Sequence, residues 1–274
     1  MQVGLHIRIT ESLHDVIEKA LRLELLFFQC FFSIKKRMAL LQPTKQEIAH
    51  FVAMRRQHFT NLYAHGSYWI NLASSEQVCH YALDRELQLA RALEFTHFVI
   101  HPGAIKPTEK KEVGIDAVAR SINKAVKKHT DILFLLENTA HGNMTIGGDI
   151  DDLKQIYEKI DQPDRVGFCI DTAHAHVYGY DIVTAAGRAD FIAHLDALLG
   201  FDHIKLIHVN DTYDACASRL DRHQLLGQGT LGISVIQALV TDARLRHIPI
   251  LTEPPVISEA VEREQLAIMR SWYI

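Results

Sequence analysis

The chain has 274 residues, of which 48% are hydrophobic and 23% charged, the composition of an ordinary globular protein with ample length to bury a core. A formal net charge of −4 advertises no polyanion partner, so any nucleic-acid surface has to be local. The four cysteines (Cys30, Cys79, Cys169, Cys216) form no C-x-x-C pair, which excludes a zinc ribbon or a disulfide framework and fits a reducing, cytoplasmic home.

The opening residues, MQVGLHIRIT, lack the basic-then-apolar pattern of a signal peptide. A strand-like run, Val3–Ile9, is followed by a helical pattern from Ser12 to about Leu23. The second run, Leu25–Phe32, leads through the basic Lys35-Lys36-Arg37 to a helix from Thr44 to about His58. Thr44 with Glu47 three residues on predicts a capping box there. The segment 21–34 is the most apolar in the chain, but it contains Arg22, Glu24 and Gln29 and is too short to span a bilayer, so no membrane association is expected.

The third run, Asn61–Ala64, ends at His65 and precedes a helix from about Ser75 to Leu93. The fourth, His97–Ile100, ends at His101 before a helix from about Val113 to Lys128, and the fifth, Ile132–Leu136, ends at Glu137 before a helix from about Ile150 to Ile160. The sixth, Val166–Ile170, stops at Asp171 with His174 close behind, and its helix runs from about Ile182 to Leu199. Ile204–Ile207 ends at His208 and opens a long polar loop before a helix from about Leu231 to Leu245. Ile248–Thr252 ends at Glu253 before a last helix from Ser258 to about Trp272. Eight strand-then-helix units in strict alternation predict a parallel sheet closed into a (β/α)₈ TIM barrel, one domain over residues 1–274 with no linker or repeat.

In such a barrel the functional site lies at the C-terminal ends of the strands. Six consecutive runs there end in a residue that can ligate a metal: His65, His101, Glu137, Asp171 with His174, His208 and Glu253. One histidine at a strand end is more often a satisfied structural residue, and Asp171 with His174 read alone is as well explained as a buried hydrogen-bonded pair. Six strands agreeing by chance is a different matter, since buried carboxylates are costly unless a cation accompanies them. Asp221 and His223, alternate residues in the polar stretch SRLDRHQLLGQG, point the same way in extended backbone and are able to share one ion; as isolated residues they read as a solvated loop. Nine nitrogen and oxygen donors without a thiolate suit Zn²⁺, with Mn²⁺ or Fe²⁺ as alternatives, and exceed what one ion takes. The 17 histidines, against 12 phenylalanines, point the same way.

The stretches AHGSYWINL, VIHPGA, LLENTA, CIDTAHAHVYGYD, IHVND, SRLDRH with GQGTLG, and LTEPP resemble, in order and spacing, the endonuclease IV family of apurinic/apyrimidinic (AP) endonucleases, within the xylose isomerase-like barrel superfamily. The likeness covers essentially the whole chain, and Asp-Arg-His with the following Gly-x-Gly is its most specific part. It implies three zinc ions per chain. His65, His101 and Glu137 would hold the first; Glu137, the bridging carboxylate given a catalytic part, would share the second with Asp171, His208 and Glu253; His174, Asp221 and His223 would hold the third. It also implies hydrolysis of the phosphodiester 5′ to an abasic site in double-stranded DNA, leaving a 3′-hydroxyl and a 5′-deoxyribose phosphate, with removal of 3′-blocking groups by the same site. Zinc acidifies water enough to make it a nucleophile at neutral pH, and an abasic nucleotide is cheap to flip out of the duplex.

By the same likeness Arg37, Tyr68 and Arg222 contact DNA, with Lys35, Lys36 and Arg219 as basic neighbours, whereas Trp69 is expected to pack on its helix. A monomer is expected. Departures from the family pattern fall in loops: ENTAHGN after the fifth run, Glu11-Ser12-Leu13 after the first and SIKKRM after the second. The other histidines read as surface or packing residues, with His6 and His141 the two candidates among them to face the mouth. The alternatives are a single-metal sugar isomerase or epimerase of the same superfamily, which usually lacks the Asp-Arg-His element, and a damaged-DNA-binding protein without catalysis.

Overall fold

A computed structural model describes residues 3–9, 12–34, 39–74, 77–140, 142 and 144–273. The barrel strands are β1 (Val3–Leu5), β2 (Gln29–Phe31), β3 (Tyr63–His65), β4 (His97–Ile100), β5 (Leu133–Glu137), β6 (Val166–Asp171), β7 (Ile204–His208) and β8 (Ile250–Thr252). They form one parallel sheet in the order β1-β8-β7-β6-β5-β4-β3-β2. A parallel bridge between His6 and Gln29, with Ile7 N–H donating to Gln29 O at 2.7 Å, joins its two edges and closes the (β/α)₈ barrel.

Helices α1 (Leu13–Arg22), α2 (Lys45–His58), α3 (Gln77–Ala92), α4 (Lys111–Lys128), α5 (Ile150–Tyr157), α6 (Thr172–Tyr178), α7 (Ala185–Leu199), α8 (Ile233–Val240) and α9 (Glu259–Ser271) surround it. Local chemistry fixes several starts. Thr44 and Glu47 form the expected capping box on α2, and Ser12 with Asp15 forms another on α1. Among the described residues no helix is long and apolar enough to cross a membrane.

Two apolar layers hold the barrel. Residues on the outward faces of the strands pack under the helices, while Phe27, Tyr63, Val99, Leu135, Cys169, Leu206 and Leu251 fill the inside, each at most 1% exposed. Gly4 belongs to this interior: an added Cβ would stand 2.5 Å from the Phe27 ring, so the glycine makes the space that Phe27 occupies. The side chains of a strand alternate faces, so the residue two beyond each interior residue points inward again, one layer higher.

Three departures from the predicted elements bear on the site. Helix α6 begins at once after β6, where a loop was expected, because the Asp171 carboxylate caps it by accepting from His174 N–H at 2.9 Å. The long polar loop after β7 contains an antiparallel ladder of Asp211–Thr212 with His223–Gln224. A second small ladder pairs Ser33–Ile34 with Ala39–Leu40. The basic residues Lys35, Lys36 and Arg37, as well as Glu11 and His141, lie outside the described residues.

Candidate metal centre

Two steps beyond the interior layer, six strands turn a polar side chain into the mouth. His65 follows Tyr63, His101 follows Val99, Glu137 follows Leu135, Asp171 follows Cys169, His208 follows Leu206, and Glu253 follows Leu251. His223 arrives separately, on the strand that pairs back onto Asp211–Thr212, with Asp221 two residues before it, and His174 stands on the first turn of α6. Glu137, Asp171 and His208 are fully buried, and His65 and His174 nearly so.

The donors lie close to one another. His65 Nε2 and His101 Nε2 lie 2.9 and 3.1 Å from Glu137 Oε2. His208 Nδ1 lies 3.0 Å from Glu137 Oε1 and 3.4 Å from Glu253 Oε2. His174 Nε2 and His223 Nε2 lie 3.1 and 3.0 Å from the two oxygens of Asp221, and His223 Nε2 is 3.7 Å from Asp171 Oδ2. Three sets have ligand atoms within 4.8 Å of one another: His65, His101 and Glu137; Glu137, Asp171, His208 and Glu253; Asp171, His174 and His223. Cys169 also comes within this distance of Glu137 and His208, but burial pushes its thiol up to about 12, so it stays neutral in the layer below.

The donor chemistry fits cations. Three imidazoles commit one ring nitrogen to an oxygen outside the donor set: His65 Nδ1 to Gly66 O at 2.9 Å, His174 Nδ1 to Asn138 O at 2.8 Å, and His208 Nε2 to Gln29 Oε1 at 3.0 Å. Ligating histidines are held in this way, with the second nitrogen donating to an oxygen behind. Glu137, Asp171, Asp221 and Glu253 each pair with histidines. Burial disfavours charge throughout, yet the imidazoles, His208 foremost, hold Glu137 and Glu253 well below the usual carboxylate range. Conversely, burial lowers the basicity of His174 and His208, but Asp171 and Asp221 beside His174, and Cys169, Glu253 and Glu137 beside His208, more than restore it, so both rise well above 6.5; His223 is pushed up to about 9. Protonated imidazoles therefore supply the positive charge in the metal-free protein.

Four more polar residues stand around the cluster, and of these only His6 was singled out from the sequence. Asn210 Nδ2 donates to Asp171 Oδ2 at 2.6 Å, and Asn210 Oδ1 accepts from Glu253 N–H at 2.8 Å. Asn138 brackets the Asp171 backbone at 2.7 and 3.1 Å. Gln29 and His6 flank Glu253. Asn138 and Asn210 stand one and two residues past Glu137 and His208, and Gln29 two past Phe27, so the same period of two that marks the ligands reaches Gln29 as well. His6 does face the mouth.

The residues expected to meet DNA are differently placed. Tyr68, 71% exposed, leans on Phe31 with ring centroids 5.3 Å apart; Trp69, expected to pack, is 52% exposed. Arg222 is paired with Asp214 through two hydrogen bonds, one from Nε at 3.0 Å, and keeps 65% of its side chain exposed. Arg219 sits at φ 60° with its guanidinium 3.5 Å over the Tyr178 ring.

A family model described as a xylose isomerase-like TIM barrel matches residues 17–272. A probable endonuclease 4 from Thermoplasma volcanium is 34% identical over 98% of this chain and 94% of its own. An apurinic-apyrimidinic endonuclease from Caenorhabditis elegans is 33% identical over 83% of this chain and 59% of its own. The crystal structure of endonuclease IV from Thermus thermophilus superposes with a TM-score of 0.85 at 24% identity, over 99% of this chain and 98% of that one, which speaks for the fold. With the whole barrel matched and the donors in place, this chain belongs to the endonuclease IV family of xylose isomerase-like TIM barrels.

Proposed function

We propose that this chain is a zinc-dependent AP endonuclease that hydrolyses the phosphodiester 5′ to abasic sites in double-stranded DNA, leaving a 3′-hydroxyl and a 5′-deoxyribose phosphate. Removal of blocking groups from 3′ ends belongs to the same reading, as the same bond class at a strand end. The observation that carries it is the gathering of nine nitrogen and oxygen donors, four of them carboxylates paired with histidines, at the mouth of a barrel of this family.

His65, His101 and Glu137 would hold one zinc; Glu137, Asp171, His208 and Glu253 a second; His174, Asp221 and His223 a third. When bound, such ions acidify water and neutralise the charge that develops on a phosphodiester. The chain's own part is to hold the donors. Asn138 and Asn210 fix Asp171, and Gly66 O and Asn138 O fix the tautomers of His65 and His174. Tyr68, exposed next to His65, is placed to reach into the duplex. Arg222 would offer a phosphate contact from its exposed face while Asp214 holds it, and Arg37 would meet DNA as the family likeness implies.

Elemental analysis of the purified protein, run beside cleavage of a duplex with one abasic analogue, tests this directly. About three zinc per chain and incision 5′ to the lesion are expected; one metal and uncut DNA would overturn the reading in favour of a sugar isomerase. Asp221→Asn sharpens the comparison, because an isomerase tolerates it, whereas an endonuclease should lose one zinc and more than about 100-fold in incision.

A further inference from the structure

Strands β1 and β2 carry none of the nine donors, yet each turns a buried polar side chain into the same layer: His6 and Gln29, 4% and 0% exposed. We propose that Gln29 is a positioning residue for the second metal position, setting at once which nitrogen His208 presents and which oxygen Glu253 presents. The proposal rests on the metal reading given above.

The argument turns on what each atom is able to do. Gln29 Nε2 lies 2.6 Å from Glu253 Oε1. An ionised carboxylate only accepts, so the amide must turn its NH₂ to Glu253 and therefore its carbonyl oxygen away. That oxygen lies 3.0 Å from His208 Nε2, which must then carry the hydrogen and donate it. With Nε2–H committed, Nδ1 is the atom His208 has left for a cation, and it is the one facing Glu137 Oε1 at 3.0 Å, Glu253 Oε2 at 3.4 Å and Asp171 Oδ2 at 3.8 Å.

Glu253 is divided in the same way. Its Oε1 meets Gln29 Nε2 and, at 3.1 Å, His6 Nδ1, itself 2.9 Å from Gln29 Nε2. Two neighbours thus occupy one oxygen and leave Oε2 directed at the cluster, where Asn210 Nδ2 approaches at 3.3 Å. One amide therefore reads a carboxylate on β8's exit and transmits its own orientation to an imidazole on β7. It does so from a rigid place, since the His6–Gln29 bridge is also the seam that closes the barrel. A glutamine is suited to this and a glutamate is not, because only the amide offers a donor and an acceptor on opposite corners of one plane.

The test compares Gln29→Leu, which removes both hydrogen bonds, with Gln29→Glu, which keeps an acceptor for His208 but faces Glu253 with oxygen. Zinc affinities are read by competition with a chromophoric chelator, and the His208 ring by ¹⁵N NMR of the zinc-loaded protein. Wild-type protein should show a slowly exchanging Nε2–H at His208. Gln29→Leu should lose that signal and weaken one zinc by about 10–100-fold, leaving the other two at their original affinity. Gln29→Glu should keep the Nε2–H signal and weaken the same zinc. Equal affinities in wild type and in a folded Gln29→Leu overturn the proposal, and so does equal weakening of all ions, which would mark a loosened barrel. If the wild type holds a single metal, the three-zinc reading fails by itself. Gln29 is then judged on that ion: a 10–100-fold loss in Gln29→Leu sustains the proposal and no loss overturns it.

Discussion

Two histidines four residues apart show how far a single position in the barrel decides a residue's chemistry. His101, at the exit of β4, stands 3.1 Å from Glu137, whereas His97, at the entry of the same strand, stacks on Tyr63 with centroids 4.5 Å apart. Burial there, with Lys205 adding to it, pushes His97 down to about 4 from 6.5. The unfolded chain therefore takes up the proton first as the pH falls. The contribution is complete above pH 6.5 and is lost between 6.5 and about 4, a difference of about 3 kcal/mol. Urea unfolding at pH 7.5 and at pH 4.5 should show Gln or Phe at position 97 flattening that loss by a similar amount; an unchanged pH slope would contradict it. This layer of the site was legible in the sequence because a strand's period of two carries the eye from Leu135 to Glu137 or from Leu206 to His208. Gln29 and Asn210 stayed hidden because an amide is not a ligand by type, and Gln29 meets His208 across 179 residues of chain.

At the scale of elements, the segment after β7 is the least predictable and the most dependent on one side chain. Asp211, fully buried, accepts at Oδ1 from Thr212 and Leu231 N–H (2.9 and 3.0 Å) and at Oδ2 from Gly227, Gly229 and Gly232 N–H (3.0, 3.1 and 3.2 Å). A Cβ at position 229 would stand 2.3 Å from its Oδ1, so the glycine is what admits the carboxylate so close. Asp211 thus closes the loop that presents Asp221 and His223. In Asp211→Asn, whichever way the amide turns, at least two backbone N–H groups face an NH₂ group. At about 1–3 kcal/mol for each buried donor left unmet, a loss of about 2 kcal/mol or more follows. Limited proteolysis should then cut within residues 212–232 first, and one zinc should be lost; a variant as resistant and as metal-rich as the parent would refute this. The eight alternating units were readable from runs of apolar residues. The ladder 211–212 with 223–224 was not, since strands of two residues carry no periodicity, and α6 was not, since its cap, Asp171, reads equally well as the end of a strand.

Across the whole molecule, protons and cations compete for one set of carboxylates. Apolar burial under the helices and in the interior layer is the main support of the barrel; its mouth instead concentrates Glu137, Asp171, Asp221 and Glu253, which only positive charge makes tolerable. Without metal that charge is imidazolium: the groups facing them overcome burial to raise His174 and His208 well above 6.5, and His223 to about 9. A raised value in the folded state means a contribution present in full below pH 6.5 and lost as the pH climbs toward the folded value. For His223 that window is 6.5 to about 9, with about 3 kcal/mol at stake. Metal-free protein should accordingly lose stability between pH 7 and pH 9, whereas zinc-loaded protein, whose imidazoles are already deprotonated by their ligation, should not. Loading zinc at pH 7 must then expel the protons that those rings carried, roughly three per chain from His174, His208 and His223. Calorimetric titration of the metal-free protein with zinc, in buffers of different ionisation enthalpy, reads that number as the slope of observed heat against buffer enthalpy. A slope near three supports cation-for-proton exchange at this mouth, and a slope near zero would mean that the metal binds away from these histidines.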